Sequence, residues 1–266
     1  MPSPSIPEPF ARLIERARAV DGQPPFSDGA LVELSTGRKE LLEVDGAAAV
    51  YSATEAEFVV DPSRRGAGIG TRILAMILGR CEPELKIWAH GDHPAARALA
   101  KSHGFEPARR LLNLRMTVPD PLPLPETADR FRPGIDDDSW LQLNARAFAF
   151  HPEQGSVVQA DLDELEHQPW FDPEDFLVLR ENGSLIGYCW LKIEGSNGEF
   201  YVVGIDPARQ GEGLGRRLMA AGFARLAARG IRTAALYVEA DNAPAMALYR
   251  SLGFTEHSVD IQYRRA

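Results

Sequence analysis

The sequence GIDPARQGEGLG at residues 204–215 decides the fold, because a related sequence, VDPSRRGAGIG, stands at residues 60–70. The Asp-Pro pair and all three glycines are in register in the two segments. A second match lies downstream, since residues 88–94 lead to Gly104-Phe105 just as residues 237–243 lead to Gly253-Phe254. Two motif pairs in the same order indicate an internal repeat, and 266 residues suffice for two domains of about 130 residues each.

The residues around the second glycine segment predict a mixed sheet with flanking helices. Strands are predicted at 176–179, 185–192, 199–205 and 233–238, the first two joined by a turn at 181–184. Helices are predicted at 214–228, before Gly230, and at 243–252. Hairpin-type strands followed by strand, helix, strand and helix favour an α/β fold with a mixed sheet over a doubly wound parallel one. We therefore predict two tandem domains, each a mixed, mostly antiparallel sheet flanked by helices.

A proline-rich stretch separates the two predicted domains. Pro119, Pro121, Pro123 and Pro125 alternate with other residues, a pattern that forms neither a helix nor a central strand. We place the N-terminal domain at 1–117, the linker at 118–127 and the C-terminal domain at 128–266.

Composition and charge exclude several classes of partner. A net charge of −9 argues against a broad basic surface for nucleic acid and favours a small-molecule partner. Charged residues interrupt the long apolar runs, and residues 1–10 lack the basic and apolar regions of a leader, so we expect a cytoplasmic protein with no membrane partner. Cys81 and Cys189 stand in apolar stretches, where we expect buried free thiols rather than a disulfide or a metal site.

The glycine segment at 210–215 follows a predicted strand and opens a predicted helix. Backbone N–H groups at a helix N-terminus can converge on an anion, and glycines let that anion approach closely. A diphosphate is the expected anion, with Arg209, Arg216 and Arg217 adding positive charge nearby. The segment lacks the Gly-Lys-Ser/Thr of a Walker loop, and its third glycine comes one residue too early for the dinucleotide fingerprint. One such loop alone is equally compatible with a plain tight turn, so the repeat carries the argument.

These motifs resemble the acetyl-CoA-binding segment of the GNAT superfamily, whose pattern is Gln/Arg-x-x-Gly-x-Gly/Ala after a splayed strand. The resemblance implies that acetyl-CoA is the co-substrate, that the glycine loop binds its diphosphate and that the preceding strand pairs with its pantetheine arm. In the C-terminal half the implied acetyl-CoA residues are Val203, Gly204, Ile205, Gln210, Gly211, Glu212, Gly213, Leu214, Gly215, Arg216, Asn242, Ala243, Pro244, Ala245, Met246 and Ala247. In the N-terminal half they are Phe58, Val59, Val60, Gly66, Ala67, Gly68, Ile69, Gly70 and Thr71.

Three further segments, NARAF at 144–148, HPEQG at 151–155 and WFDP at 170–173, resemble the mycothiol synthases, a family of fused GNAT pairs. That family transfers acetyl from acetyl-CoA to the cysteinyl amine of cysteinyl-glucosaminyl-inositol. The similarity covers most of residues 140–263 and is thinner in the N-terminal half. The loop at 194–198 is shorter than the family pattern, which affects fine substrate contacts. The implied partner is a small-molecule amine, and we expect a monomer.

The resemblance implies roles for individual residues. An amine attacks a thioester only as the free base, and Glu199 is implied as the general base, acting through water. Tyr249 is our candidate general acid for the departing CoA thiolate. A sugar-inositol ligand needs polar partners for its hydroxyls when it leaves water. The implied substrate contacts are Asp28, Glu153, Lys192, Glu199 and Tyr237.

The two halves differ at the two proposed catalytic positions. Counting from Asp61 places Thr54 at the position of Glu199, and counting from Gly104 places Ala100 at the position of Tyr249. We therefore predict that the N-terminal half does no chemistry, whether or not it binds acetyl-CoA. We assign no catalytic role to His151, which we expect to hydrogen-bond within a loop, or to Trp170, which we expect in the core. The acidic run at 136–138 is predicted to begin a helix.

Two other functions stay open on these observations. A tandem GNAT enzyme for another amine, such as an aminoglycoside or a protein N-terminus, differs from a mycothiol synthase only by the segments at 151–155 and 170–173. A non-catalytic acetyl-CoA sensor is compatible with the degenerate N-terminal half, but a sensor would not need both Glu199 and Tyr249.

Overall fold

The computed structural model describes residues 6–120, 128–151 and 154–265, which fold into two compact units. Unit 1 takes the chain up to Leu112, together with Glu239–Asp241 and the C-terminal segment from Ser258. Unit 2 takes Asn113–Val238 and Asn242–His257. Residues 121–127, most of the predicted linker, lie outside the described residues, so the domain boundaries at 117 and 128 stay a prediction.

Both units are built from α-helices and β-strands. The α-helices are α1 (Glu8–Asp21), α2 (Asp28–Ser35), α3 (Ile69–Leu78), α4 (Pro94–Ser102), α5 (Asp137–Ala147), α6 (Gln159–Glu166), α7 (Leu214–Ala228) and α8 (Ala243–Leu252). The strands are β1 (Glu40–Val44), β2 (Ala47–Tyr51), β3 (Glu55–Val60), β4 (Lys86–Ala89), β5 (Phe105–Thr117), β6 (Asp129–Arg130), β7 (Phe176–Glu181), β8 (Ser184–Glu194), β9 (Asn197–Ile205), β10 (Thr233–Glu239) and β11 (Thr255–Arg265).

Unit 1 packs helices on both faces of its sheet. The strand order is β1-β2-β3-β4-β11, in which β3 and β4 run parallel and the other neighbours run antiparallel. Side chains alternate along β2 as a strand requires: Ala47 and Ala49 join the core under α3 and α4, whereas Ala48 and Val50 join the core under α1 and α2. Phe10 of α1 anchors the second core, with its ring centroid 5.1 Å from that of a neighbouring phenylalanine.

Unit 2 repeats this arrangement with strand order β10-β9-β8-β7-β6. Here β9 and β10 run parallel and the other neighbours run antiparallel. Helix α5 covers one face through Trp140, whose ring centroid lies 5.6 Å from that of Tyr188 and 5.9 Å from that of Trp190. Helix α7 covers the other face, where Gly222 leaves room for the ring of Phe200. The predicted fold class is therefore confirmed.

The predicted elements of the C-terminal half are also confirmed, with small shifts at their ends. β8 continues to Glu194 and β9 starts at Asn197, so the two strands extend beyond the predicted 192 and 199. Asn182 and Gly183 both have positive φ, 49° and 83°, as a two-residue hairpin turn between β7 and β8 requires. The acidic run begins α5 at Asp137, as predicted.

The last strand belongs to unit 1 from Ser258 onward. Residues Ile261 to Arg264 of β11 pair antiparallel with Ala89 to Lys86 of β4. The sequence analysis placed these residues with the C-terminal half, because strand pairing across the chain leaves no local signal.

Candidate active site

The glycine segment of unit 2 forms an open loop before α7. Asp206 opens the loop by accepting a hydrogen bond from the N–H of Ala208 at 3.0 Å. Gly211 and Gly213 adopt φ of 85° and 78°, a conformation that glycine tolerates best. A Cβ on either glycine would meet no atom within 4 Å, so this side of the loop is open. Leu214 then starts the helix and is buried.

The backbone of this loop suits an anion. The N–H of Arg217 donates to the carbonyl of Gly213 at 3.1 Å, the first turn of the α-helical ladder. The preceding N–H groups lack an acceptor within the helix, as at any helix N-terminus, and they carry its positive dipole end. The exposed residues Gln210 to Gly213 and Arg216 therefore lie where a diphosphate would bind.

The strand before the loop is paired along only part of its length. The parallel ladder between β10 and β9 runs from Thr233 opposite Asn197 to Leu236 opposite Phe200, and both strands continue beyond it. On its other side β9 remains paired with β8 up to Ile205. Residues 201–205 of β9 thus diverge from β10. This divergence corresponds to the splayed strand of the acetyl-CoA-binding pattern.

Gly204 in this opened segment has a packing role of its own. A Cβ on Gly204 would lie 2.5 Å from Cε1 of Tyr188, so the glycine gives room to a buried ring. The half-buried side chains of Val203 and Ile205 project to the other face of β9. Gly204 can therefore offer a cofactor its backbone groups only.

The start of α8 forms the second predicted cofactor segment. Asn242 is the N-cap of this helix, and its Oδ1 accepts a hydrogen bond from the N–H of Ala245 at 3.2 Å. Met246 is buried, whereas Ala243, Pro244 and Ala247 are exposed. The structure thus gives Asn242 a capping role and Met246 a core role.

The predicted positive charge near the loop is partly neutralised. Arg209 forms ion pairs with Glu181 at 2.6 Å and with Glu212 at 2.7 Å. Arg216 donates a hydrogen bond to the hydroxyl of Ser251 at 2.9 Å, and its side chain stays at the exposed surface. Of these two arginines, Arg216 is therefore the better placed to meet an anion.

Three predicted substrate residues share one face of the unit 2 sheet. Glu199 stands opposite Lys192 of β8 and opposite Ala235 of β10. Tyr237 lies two residues beyond Ala235 and therefore on the same face. The Lys192 ammonium lies 5.3 Å from the ring centroid of Trp170, which is half-buried rather than in the core as the sequence analysis expected. The sheet thus brings a carboxylate, an ammonium and a phenol together.

A β-bulge at Tyr201 lies next to this group. The register of β8 and β9 shifts between Trp190 opposite Val202 and Leu191 opposite Phe200, so Tyr201 is an extra residue in β9. Its ring centroid lies 5.2 Å from that of Trp170. The sequence analysis missed this feature, since a single inserted residue does not break the apolar pattern.

Tyr249 is buried on α8. Burial, and secondarily the thiol of Cys189, raise the pKa of the Tyr249 phenol to about 12. Cys189 is the cross-strand partner of Val203, which places Tyr249 near the opened segment of β9. The phenol therefore keeps its proton at neutral pH and can act as a donor.

The segment HPEQG is held by Asn144 of α5. The Asn144 side chain donates to the carbonyl of Gln154 at 2.6 Å and accepts from the hydroxyl of Tyr188 at 2.6 Å. The Nδ1 of His151 accepts from the N–H of Gln154 at 3.1 Å, which confirms the predicted loop role of this histidine. Asn144 is a positioning residue that the sequence analysis quoted within a motif without a role.

Two further predicted substrate residues, Asp28 and Glu153, are not among the unit 2 residues described above. Asp28 belongs to unit 1, where it is the first residue of α2 and follows the N-cap Ser27. Glu153 lies outside the described residues, so its role stays a prediction.

Unit 1 repeats the glycine loop and the opened strand. Gly66 and Gly68 adopt φ of 79° and 76°, and Ile69 starts α3. The predicted cofactor residues of the loop, Ala67, Gly70 and Thr71, follow the same backbone path. The parallel ladder of β3 and β4 ends at Glu57 opposite Trp88, so the predicted residues Phe58, Val59 and Val60 continue beyond it.

The sheet register corrects one equivalence between the units. Glu199 stands opposite Ala235, which is two residues before Tyr237, and Glu55 stands opposite Lys86, which is two residues before Trp88. Because Trp88 and Tyr237 occupy matching motif positions, Glu55, rather than Thr54, aligns with Glu199. Counting from the glycine loop went wrong by one residue because the bulge lengthens β9 and not β3.

The other edge of β3 gives the same equivalence. The N–H of Ser52 donates to the carbonyl of Glu55 at 2.8 Å, continuing the antiparallel register of β2 and β3. Ser52 stands five residues after Ala47, and Lys192 stands five residues after Gly187. Because Lys192 pairs with Glu199, Ser52 and its partner Glu55 hold the matching positions in unit 1. Unit 1 therefore keeps a carboxylate at the proposed base position, while Ala100 lacks the phenol of Tyr249.

A buried charged cluster lies beside this carboxylate in unit 1. His90 contacts Asp260 through Nδ1 at 2.8 Å and Glu57 through Nε2 at 3.2 Å. Burial lowers the pKa of His90, but the two carboxylates outweigh it and raise the pKa to about 10. The N–H of Gly91 also donates to Asp260 at 2.8 Å. The cluster therefore binds β11 to the end of β4.

Within residues 6–120, 128–151 and 154–265, no helix is both long and apolar enough to cross a membrane. In the same ranges, no group of three or more His, Cys, Asp or Glu side chains is placed to hold a metal ion. Both cysteines are free thiols, with Cys189 buried and Cys81 half-buried.

Comparison with known proteins identifies the class. The acetyltransferase (GNAT) family model matches residues 36–105 and 138–254. A GCN5-related N-acetyltransferase from Sphaerobacter thermophilus has a TM-score of 0.69 at 22% identity, covering 96% of this chain and 91% of its own. A tandem GNAT protein from the clavulanic acid biosynthesis pathway has a TM-score of 0.67 at 17% identity, covering 95% and 93%. The fold and the repeated loop therefore define an N-acetyltransferase of the GNAT class, which uses acetyl-CoA as co-substrate.

Sequence relatives narrow the class further. The mycothiol acetyltransferase of Clavibacter michiganensis is 45% identical, over 100% of this chain and 93% of its own length. That of Thermobispora bispora is 42% identical, over 99% of this chain and 97% of its own length. The chain belongs to the mycothiol acetyltransferase family.

Proposed function

We propose that this enzyme acetylates the cysteinyl amine of cysteinyl-glucosaminyl-inositol to give mycothiol, and that unit 2 performs the chemistry. The observation that carries the proposal is the shared sheet face of Lys192, Glu199 and Tyr237 beside the opened strand, in a chain similar over its full length to mycothiol acetyltransferases. A cytoplasmic location and a monomeric state remain predictions of the sequence analysis.

The residues of unit 2 fit acetyl-CoA. The open, positive-φ glycines Gly211 and Gly213 and the N-terminus of α7 suit its diphosphate. The diverging edge of residues 203–205 offers backbone groups to its pantetheine arm, and residues 242–247 flank it at the start of α8. Acetyl-CoA supplies the acetyl thioester. Unit 1 offers matching loop and strand residues, and we propose that it does no acetyl transfer.

Glu199 and Tyr249 are proposed to handle the two protons of the reaction. Glu199 takes a proton from the acceptor ammonium through water, which frees the nitrogen lone pair to form the new bond to the acetyl carbon. Tyr249 gives its phenolic proton to the sulfur as the carbon–sulfur bond breaks. Burial raises the pKa of the Tyr249 phenol, so the proton to be given is present on its oxygen at neutral pH.

The remaining predicted contacts would hold the sugar and inositol. Lys192 and Tyr237 flank Glu199 on its sheet face and can bond to hydroxyls next to the reacting amine. Glu153 is proposed to bind the same ligand, as the family resemblance implies, and a substrate contact of Asp28 stays a prediction of the sequence analysis.

The test is CoA release measured with a thiol-reactive dye. Purified enzyme receives acetyl-CoA and either cysteinyl-glucosaminyl-inositol or a panel of aminoglycosides and peptides, with correction for the thiol of the conjugate. Glu199→Gln and Tyr249→Phe are each expected to lower kcat by about 10²–10⁴-fold. Glu256→Gln, at an exposed carboxylate of unit 2, is the matched control with unchanged activity.

Each result decides one part of the proposal. Turnover confined to the inositol conjugate and lost in both variants supports the substrate and the two proton roles. Rapid turnover of an aminoglycoside or peptide instead rejects mycothiol synthesis and keeps the acetyltransferase. Full activity in Glu199→Gln rejects the base, and full activity in Tyr249→Phe rejects the acid.

A further inference from the structure

Unit 1 holds a buried lysine amine against the carboxylate that aligns with Glu199. We propose that unit 1 keeps a recognition site for a primary alkylammonium centred on Glu55, and that Lys39 fills this site from within the chain. The proposal rests on the proposed function in one respect, since it takes Glu199 as the group that faces the acceptor amine.

The contacts of Lys39 are those of a bound amine. Its Nζ lies 2.7 Å from Oε2 of Glu55 and 2.9 Å from Oε2 of Glu33. Only 5% of the Lys39 side chain is exposed, so the ammonium is withdrawn from water. A long cationic side chain enters such a place only when carboxylates compensate its charge.

The rest of the carboxylate is also engaged. Oε1 of Glu55 accepts hydrogen bonds from Nε1 of Trp88 and from Nε2 of Gln262, each at 3.2 Å. Trp88 stands at the position that Tyr237 occupies in unit 2. Glu55 and Trp88 of unit 1 thus match Glu199 and Tyr237, two proposed substrate residues of unit 2. Glu55 contacts the Lys39 ammonium, and Trp88 contacts the Glu55 carboxylate.

The charge balance explains why the bound amine is inert. Burial lowers the pKa of Lys39, but Glu55 and Glu57 outweigh this effect, and the pKa is raised overall. The amine therefore remains an ammonium without a lone pair for attack on a thioester. An outside amine is excluded because the Lys39 ammonium already occupies the place beside Oε2 of Glu55.

The experiment replaces the lysine side chain by a free amine. Lys39→Ala removes three methylene groups and the ammonium, which together correspond to n-propylammonium. Thermal unfolding of the full-length variant is followed as n-propylammonium chloride is added, against sodium chloride at equal ionic strength. We expect a saturable rise in the unfolding temperature of Lys39→Ala, since a ligand of the folded state raises it by mass action.

Three controls test the chemistry of the site. Wild type, whose site is filled, and the double variant Lys39→Ala with Glu55→Gln should show no saturable shift. Neither n-propanol, which lacks the charge, nor tetramethylammonium, which lacks N–H donors, should replace the amine. Equal shifts with either reagent, or a shift that survives in the double variant, would overturn the proposal.

A second measurement covers the case in which Lys39→Ala does not fold. Folding in the presence of n-propylammonium and not in its absence would support the site. If the variant folds under neither condition, chemical labelling of amines decides. In wild type, the labelling rate of Lys39 should be at most about one tenth of that of the exposed Lys101. Glu55→Gln should remove most of that protection. Equal rates at the two lysines would overturn the proposal. Neither readout involves turnover, so failure here differs from failure of the CoA-release test.

Discussion

Replacing Gly204 by Ala should destabilise unit 2 through a collision with one ring. The added Cβ would lie 2.5, 2.6 and 2.8 Å from Cε1, Cζ and Oη of Tyr188. The ring is fully buried, and its hydroxyl donates to Asn144 at 2.6 Å, so it cannot turn away without breaking that bond. Overpacking costs about 1–3 kcal/mol and the lost hydrogen bond about 1 kcal/mol. We expect the free energy of unfolding to fall by about 2–4 kcal/mol.

Urea unfolding followed by tryptophan fluorescence measures this loss. Trp140 reports on the collision, because its ring centroid lies 5.6 Å from that of Tyr188. Gly29→Ala is the control, since a Cβ there has its nearest neighbour at 4.0 Å and should change stability little. In a Tyr188→Leu background the cost of Gly204→Ala should largely disappear. A loss below about 0.5 kcal/mol, or the same loss in that background, would refute the reasoning.

Three further predictions follow from single side chains. Glu166 has an Oε1 that is buried without a hydrogen-bond partner in the described part of the chain, and burial and neighbouring aspartates raise its pKa to about 7. The folded state then binds the proton more tightly than the unfolded state, so stability falls as pH rises from the ordinary value of 4.5 towards 7. The unfolding temperature of Glu166→Gln should therefore rise relative to that of wild type as the pH increases from 5 to 8. Glu164→Gln is the control and should show no such rise. A difference in unfolding temperature that does not depend on pH would contradict this reasoning. Burial raises the pKa of the Cys189 thiol, so a thiol reagent should modify it only after denaturation, which mass spectrometry of native and unfolded samples checks. Arg209→Ala should leave the KM for acetyl-CoA within about twofold, because two glutamates already engage its guanidinium, and a tenfold rise in steady-state kinetics would show that it binds the diphosphate.

The glycine loops could be predicted from sequence because their signal is local. The spacing of Gly211 and Gly213 in a short segment specifies two positive φ angles and then a helix start, and the same spacing recurs at Gly66 and Gly68. The strands and helices that follow depend on neighbouring residues in the same way. Lys192, Glu199 and Tyr237 share a sheet face because they lie on adjacent strands, and their roles stay a prediction.

The remaining features depend on pairing between distant residues. The bulge at Tyr201 shifts the alignment of Glu199 by one residue, and only the register of both neighbouring strands shows Glu55 as its counterpart. Spacing from the second motif gives no signal either, since Glu55 stands 33 residues before Trp88 and Glu199 stands 38 residues before Tyr237. The ion pair of Lys39 with Glu55 has no such signal, since its partners belong to different elements.

The membership of β11 in unit 1 sets the order in which the protein can mature on the ribosome. His90 is synthesised 170 residues before Asp260, and β4 likewise precedes the strand that covers its edge. Until that strand emerges, the imidazolium lacks one of its two carboxylates and β4 exposes unpaired backbone groups. The N-terminal unit therefore cannot finish folding before the intervening residues of unit 2 have been made, the reverse of the usual order along a nascent chain. Changes at residues 258–265, including a fused tag that disturbs them, act on the unit at the opposite end of the sequence.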